Sequence, residues 1–575
     1  MKYALITTGL LWLTTEVSAG VLPRQATDTI IPTDRTVSVS TTVVPTGVSE
    51  VLPPLSGNVE PHTTGTVYTE ISSRENPLMT SSIPEPSRIL KPVASPTLAK
   101  HEARATDITK RQGNDIFSSP IGTGPPPANI PQRDDHPVAR NGITKTGVLQ
   151  TNKFYSGFFL EDQTTSVHTF PYSLQWAKGG ESADTWGIAI SHIEASQWVF
   201  GDVEHNGAAA YYLNPVGIHS MILSATELGA DTVLETEAHT AFSARAVLKD
   251  SAASDPTISF PVVQGMAYVT GEFNGGHPML QSGVYFRSMT RVETDPKAGV
   301  VKYNFLLEDD TVWIVYGYST SGEPLNLELT NQGLAQSVDP FFGVVQIAKN
   351  PGEADAALDD GAGIYPTDAS ISGSASGSTG SYTLTWATGG TTEGSLYLYA
   401  LPHHVESFNG DTAGRVQDIE LQTTVKGVAS LVQGTSWTLE ESALPDNLDF
   451  APWSADLGGP QSALSDAAKE VIRPIAEADI SQNMDEQSDL DSMYFSGKAL
   501  AKFAQIIYLV NDLLGDSGLA QAGLDNLKTA FDRFASNSQQ FPLTYESAWG
   551  GVVSTATYTT GEPIADFGNT VSFDS

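Results

Sequence analysis

The chain has 575 residues, more than one domain's worth, with 66 acidic against 30 basic side chains and a formal charge of −36 at pH 7. That charge repels phosphate backbones and anionic lipid, which argues against nucleic-acid and membrane-surface binding and suits a neutral or cationic partner, with carbohydrate the leading neutral candidate. The absence of cysteine excludes disulfide frameworks, thiol catalysis and Cys-ligated zinc, and the charged fraction of 17% is made up by Gly, Ser and Thr, as in turn-rich all-β extracellular proteins.

At the N-terminus, Lys2 precedes an apolar run from Ala4 to Leu13, and Val17-Ser18-Ala19 supplies the small residues that a signal peptidase reads. The run is too short to span ~30 Å of hydrocarbon, so residues 1–19 read as a secretory signal peptide. Residues 20–135 read as a disordered Ser/Thr/Pro-rich segment. The stretch up to Pro137 holds 17 of the 34 prolines and, after Trp12, no tryptophan precedes Trp176. Such a composition buries too little apolar surface to offset its ordering entropy and fits an O-glycosylated stalk. Lys110-Arg111 is a candidate processing site within it, and no Asn-x-Ser/Thr sequon occurs anywhere in the chain.

Residues 136–450 change to short alternating segments. Ser166–Phe170, Tyr172–Trp176, Trp186–Ile190, Val312–Tyr316, Tyr382–Trp386 and Ser395–Tyr399 have strand-like alternation or apolar runs, separated by Gly, Asn, Asp and Pro. The spacing is too short for βαβ crossovers and predicts a large N-terminal antiparallel β-sandwich, with its aromatics mainly in the core. Its scattered polar residues, Glu194, Asp309 and Glu406 among them, form no paired-carboxylate constellation, so this part reads as scaffold.

Beyond Pro452 the period becomes 3.6. Ala463 to Ile472 predicts a helix that Pro474 should end. Met493 to Leu514 predicts a second, with Phe495, Ala499, Phe503, Ile506, Ile507, Val510 and Leu514 on one inward stripe. Asp512 to Gly518 should turn the chain into a returning helix over Leu524 to Phe534, with Leu527, Ala530, Phe531 and Phe534 inward. Residues 451–575 thus read as a linker and the start of an αα-hairpin array. Three helices are too few to close a toroid.

Several short motifs carry no chemistry. Gly515-Asp516-Ser517-Gly518 imitates a serine-protease nucleophile loop but falls in a helix-hairpin turn. His403-His404, taken as strand residues, would point to opposite faces and could not chelate one ion. Gly373 to Gly380 reads as a Gly/Ser-rich loop without a phosphate-binding lysine.

Ordered motifs then align the chain with a family. Thr151-Asn152-Lys153-Phe154-Tyr155, His168-Thr169-Phe170-Pro171-Tyr172-Ser173, Gly187 to Ile193, Phe260 to Met266, Ala400 to Glu406 and Leu421 to Gly427 resemble the N-terminal part of glycoside hydrolase family 81. Tyr494 to Lys498, Trp549 to Ser554 and Ala565-Asp566-Phe567-Gly568-Asn569-Thr570 extend the likeness over about residues 140 to 570. The resemblance implies an N-terminal β-sandwich, a small α/β connecting region and a C-terminal (α/α)6 barrel. It also implies secreted endo-1,3-β-glucanases that cut internal bonds of cell-wall β-1,3-glucan by inversion, without metal or organic cofactor. One carboxylic acid protonates the leaving oxygen while a second carboxylate, ~6.5–9.5 Å away, activates water. The chain is expected to be a monomer.

In the family the stretch like Ala565 to Thr570 continues into a His-rich strip bearing the acid, and a glutamate much farther on is the base. Here Val571-Ser572-Phe573-Asp574-Ser575 follows, so Asp574 matches the acid in register alone and the base is absent. Val-Ser can be encoded by a 5′ splice-site sequence, which suggests a coding sequence that runs into an intron. The barrel is therefore expected to be incomplete and the 575 residues inactive. Two readings stay open: an endo-1,3-β-glucanase in full-length form, or a catalytically dead fragment that binds glucan or is unfolded. Tyr545 and Trp549, beside the Gly550-Gly551 turn, and Asp566 and Asn569 are the candidate substrate-binding residues. The competing role for Trp549 is a core position.

Overall fold

The computed structural model describes residues 115–559 except 119–123, 126, 127, 129, 144–148, 150–153, 180–184, 204–206, 208, 210, 353, 354, 445–452, 455–458 and 461–463. The expected signal peptide, Lys110-Arg111 and most of the Ser/Thr/Pro segment lie outside the described residues.

Side chains alternate across a strand, so a strand that is apolar at every position needs cover on both faces. Trp313-Ile314-Val315-Tyr316 is such a run. It lies in Val312–Ser319, within an eight-stranded antiparallel sheet. From one edge the order is Phe286–Arg291, Val300–Leu307, Val312–Ser319, Phe341–Lys349, Val269–Gly276, Ile258–Val263, Ser243–Lys249 and Val233–Glu237. On one face, Trp313 and Val315 join Phe260, Val301 and Phe305. These meet Leu174, Ile188, Ile190 and Leu223 of a seven-stranded antiparallel sheet whose central strands are Met221–Ala225 and Ile188–Ser191. Two antiparallel sheets sharing one apolar core are the sandwich that the strand pattern predicts.

The opposite face of the eight-stranded sheet is covered as well. Ile314 and Tyr316 pack with Tyr268, Leu358, Tyr399 and Leu431 in a second core. That cover begins with helix α1 (Asp355–Gly361) and includes the antiparallel strands Tyr397–Ala400, Val428–Gln433 and Val416–Gln422. The two sandwich sheets therefore end at Lys349, and the remainder of the 136–450 stretch forms a separate layer rather than further sandwich strands.

Two expectations for this layer need correcting. Gly373 to Gly380 is not a loop but the end of a long hairpin, Ile364–Ser376 with Thr379–Gly390, which Ser436–Glu441 extends. Small residues are required there because residues 115–118 cross it: a Cβ on Gly373 would meet the Phe117 ring at 2.8 Å, and Gly373 N donates to Asp115 Oδ1 at 2.8 Å. Part of the segment expected to be disordered is thereby docked. His403 and His404 lie on helix α2 (Pro402–Ser407), not on a strand, and their rings stand 4.1 Å apart. Pro402 at the first helical position needs no hydrogen bond and starts the helix. Burial, then the neighbouring His403, lowers His404 to about 4.

A buried histidine joins this layer to the sandwich. His192 is 3% exposed; its Nε2 donates to Gln422 O at 2.8 Å and its Nδ1 accepts from Lys349 Nζ at 3.0 Å. Burial and then the Lys349 charge lower its pKa from 6.5 to about 4. Between those values the unfolded chain binds the proton and the folded chain does not, so this residue makes stability rise with pH. Acidification from pH 6.5 to 4 should therefore lower Tm, and His192→Asn should flatten that part of the Tm–pH curve. An unchanged slope would show that His192 does not govern it.

Helix α3 (Gly410–Ala413) belongs to the third layer, and the helical segment consists of α4 (Asp466–Ile480), α5 (Met484–Ser488), α6 (Met493–Leu509) and α7 (Ser517–Ala535). Side chains of Ser465, Asn483, Ser492 and Asp516 cap their first turns. Pro474 lies inside α4 instead of ending it. A mid-helix proline costs ~3 kcal/mol, but Ala476 and Ile480 beyond it pack against Phe503, Ile507 and Ala530, which holds the helix together. After α6, a π-helical turn over Val510–Leu514 leads to Gly515 at φ 69°, and Asp516 caps α7. The Gly-Asp-Ser-Gly sequence is thus turn and cap. The returning helix starts earlier than Leu524 because of this cap. Phe495, expected inward, is 56% exposed, and Ser496 takes the buried position of that turn. Among the described residues no helix is long and apolar enough to cross a membrane.

Candidate functional site

The segment that leads toward the expected acid is fixed by a strap from the other end of the sandwich domain. Leu543–Glu546 and Gly551–Ser554 form an antiparallel hairpin, turned at Gly550, whose φ of 76° favours glycine. Gln132–Arg133 joins it in parallel, with Gln132 opposite Tyr545 and Arg133 opposite Glu546. Tyr545 N donates to Pro131 O and Ser547 N to Arg133 O, each at 2.8 Å. Thr544 Oγ1 donates to Pro131 O at 2.9 Å across 413 residues of sequence.

Behind this sheet sits a buried carboxylate. Glu546 is fully buried; its Oε1 accepts from Ala548 N at 2.9 Å and its Oε2 from Tyr558 Oη at 2.8 Å. Tyr558 belongs to the short helix α8 (Ala556–Thr559). Burial, then the bond to Glu546 and its charge, raise the Tyr558 pKa, so the hydroxyl remains a donor. The Arg133 guanidinium lies 3.9 Å over the Tyr558 ring and is paired with Asp135 at 2.6 Å. His136 meets Trp549 and Tyr558 edge-on, and burial lowers its pKa, which keeps the ring neutral near pH 7. Both oxygens of Glu546 are engaged by the protein. The cluster holds the start of the final segment in place and does not present an acid or base to a substrate.

The expected site residues divide in two. Tyr545 is half-buried on the hairpin. Trp549, expected as a sugar-stacking wall, is 2% exposed and belongs to the sandwich core. Its Nε1 donates to Val138 O at 3.3 Å, the Phe159 ring lies 5.9 Å away and Arg140 stands over its face. In this arrangement its ring faces are taken by protein, so the core role replaces the wall. Asp566, Asn569 and Asp574 lie outside the described residues. Sequence reasoning missed Arg133, His136, Arg140, Glu546 and Tyr558. Glu546 adjoins a residue already singled out, but its partners are distant or unremarkable in type.

A cavity of about 260 Å³ lies by α5 and α7, lined by Gln482, Asn483, Met484, Asp485, Asn526 and Thr529. Its one carboxylate, Asp485, is already paired with Arg533 at 2.8 Å, so it lacks the two carboxyl groups that inverting hydrolysis needs. Of the three carboxylates singled out earlier, Glu194 pairs with Lys349 at 3.1 Å, Asp309 caps its own turn through Thr311, and Glu406, on α2 of the third layer, is exposed. Among the described residues no group of three or more His, Cys, Asp or Glu is arranged to hold a metal ion.

Two family models match the chain. The model of the glycosyl hydrolase family 81 N-terminal domain matches residues 136–455, and that of the C-terminal domain matches 463–575. A glucan endo-1,3-beta-D-glucosidase of Arthroderma benhamiae is 42% identical over 520 residues, covering 89% of this chain and 55% of the relative. The primary septum glucan endo-1,3-beta-D-glucosidase of Schizosaccharomyces pombe is 33% identical, covering 86% and 47%. A solved glycoside hydrolase family 81 structure from Clostridium thermocellum aligns at TM-score 0.47 and 16% identity, over 75% of this chain and 54% of that one. The chain spans about half the length of the curated relatives it matches.

Proposed function

Because the chain belongs to glycoside hydrolase family 81, we propose that it supplies the β-sandwich, the adjoining layer and the first helices of a secreted endo-1,3-β-glucanase acting on cell-wall glucan. The observation that carries this reading is the 42% identity, over 89% of the chain, to a glucan endo-1,3-beta-D-glucosidase. A net charge of −36 is compatible with a neutral polysaccharide substrate. The acid is assigned to the region of Asp574, with Asp566 and Asn569 on the substrate side. The sandwich, the strap and Glu546 act as scaffold. An inverting mechanism needs both carboxyl groups. No cofactor takes part, and the protein works as a monomer.

The test is stereochemical. A product extended to the relatives' full length, given laminarin, should release mixed oligosaccharides whose new reducing ends appear first as the α-anomer by NMR. Glu194→Gln, Asp309→Asn and Glu406→Gln in that product should leave kcat/KM within a few-fold. An initial β-anomer would overturn inversion. A loss of ~10³-fold in a folded variant, the size expected for a missing acid or base, would move the chemistry into the sandwich.

A further inference from the structure

One hairpin of the sandwich domain stands apart from both large sheets and carries its aromatic side chains outward. Val199–Phe200 and Tyr212–Leu213 pair only with each other, Phe200 opposite Tyr212 and Val199 opposite Leu213. Alternation then places Trp198, Phe200, Tyr212 and Asn214 on one face and Val199, Tyr211 and Leu213 on the other. On the first face Trp198 stacks on Tyr212 at 5.1 Å and 29°, and Phe200 meets Tyr212 at 6.1 Å. Phe200 is 59% and Tyr212 48% exposed. Exposed apolar surface of this kind marks an interaction site rather than a core.

The base of the hairpin is anchored. Ser191 Oγ lies 2.8 Å from the carbonyl oxygens of both Val216 and Ile218, and Glu194 is held by Lys349. Two features select the ligand. Residues 194–218 contain no Lys or Arg but include Glu194, Asp202 and Glu204, which disfavours an anionic ligand. Tyr212, 48% exposed, carries a phenolic hydroxyl on this face, whereas Trp198 Nε1 and Asn214 Oδ1 beneath it are buried from solvent. A ligand that fits this face carries no negative charge, offers flat apolar surfaces to aromatic rings, and brings hydroxyl groups that can pair with a phenol. A pyranose chain has all three properties.

We propose that the Trp198-Phe200-Tyr212-Asn214 face is a carbohydrate platform that holds β-1,3-glucan on the sandwich domain. The choice of glucan rests on the function proposed above; the platform goes beyond it. The test is depletion of the 575-residue chain from solution by insoluble β-1,3-glucan, with cellulose as control. The glucan should deplete the chain, and cellulose should do so less. Phe200→Ala/Tyr212→Ala should weaken binding by about tenfold or more, the size of losing one or two aromatic contacts. Val199→Ser/Leu213→Ser, on the opposite face, should bind as before. The exposed Phe200→Ser alone, with its melting curve unchanged, separates lost binding from lost folding. Equal binding by wild type and the folded aromatic variants, or no binding by wild type, overturns the platform. So does sedimentation showing a dimer that the aromatic variants abolish, since the face then joins two copies. Laminarin hydrolysis by the longer product is read separately. Its absence overturns the activity while leaving the platform, and its presence without aromatic-dependent binding overturns the platform alone.

Discussion

Trp549→Ala is expected to destabilise the protein by about 3–5 kcal/mol, the cost of removing a large aromatic side chain from a packed interior. The ring is 2% exposed and sits in the core that the two sandwich sheets share. Its loss also leaves the Val138 carbonyl without its indole donor and the Arg140 guanidinium without the ring face beneath it. Trp549→Phe should recover much of the apolar packing but not the bond to Val138. Denaturant unfolding monitored by circular dichroism measures both. A sugar-stacking wall would give the opposite pattern: an unchanged unfolding midpoint and weakened substrate use in the longer product.

Trp549 also shows where sequence reasoning reaches its limit. Its neighbours Gly550 and Gly551 correctly mark a turn, but nothing local says which side of that turn is covered. The cover comes from the strap at Gln132–Arg133 and the residues after it, joined by backbone hydrogen bonds that leave no composition signal. Glu546 was illegible for the same reason, since its role depends on a tyrosine and a backbone amide, partners that an exposed glutamate can equally have nearby.

The strands were more legible. Two-residue alternation, and the continuous apolar run at Trp313–Tyr316, follow directly from sheets that are covered on one or both faces. The third layer was harder to see from residues alone, because its hairpin strands are rich in Ser and Gly. The helices of the C-terminal segment followed from the 3.6 period, yet Pro474 misplaced one boundary because tertiary packing outweighs the local cost of a mid-helix proline. Phe495 misled for a related reason: it fits the apolar stripe by spacing, but sits in the first turn of α6, where the described helices do not cover it. The general expectation that the sandwich aromatics lie in the core fails at Phe200 and Tyr212, which are exposed on a hairpin outside both large sheets.

The larger expected effect is on catalysis. General acid or base assistance contributes ~10²–10⁴-fold on its own, and inversion needs two carboxyl groups held on opposite sides of the scissile bond. The described residues offer a scaffold glutamate with both oxygens engaged and a cavity with one paired aspartate. Reducing-end release from laminarin, measured side by side for the 575-residue chain and a product extended to the full length of the relatives, tests this most directly. Turnover by the longer product alone is the predicted result. Turnover by the 575-residue chain would contradict it and place both catalytic carboxyl groups within these residues, and turnover by neither, with both proteins folded, would contradict the glucanase function itself.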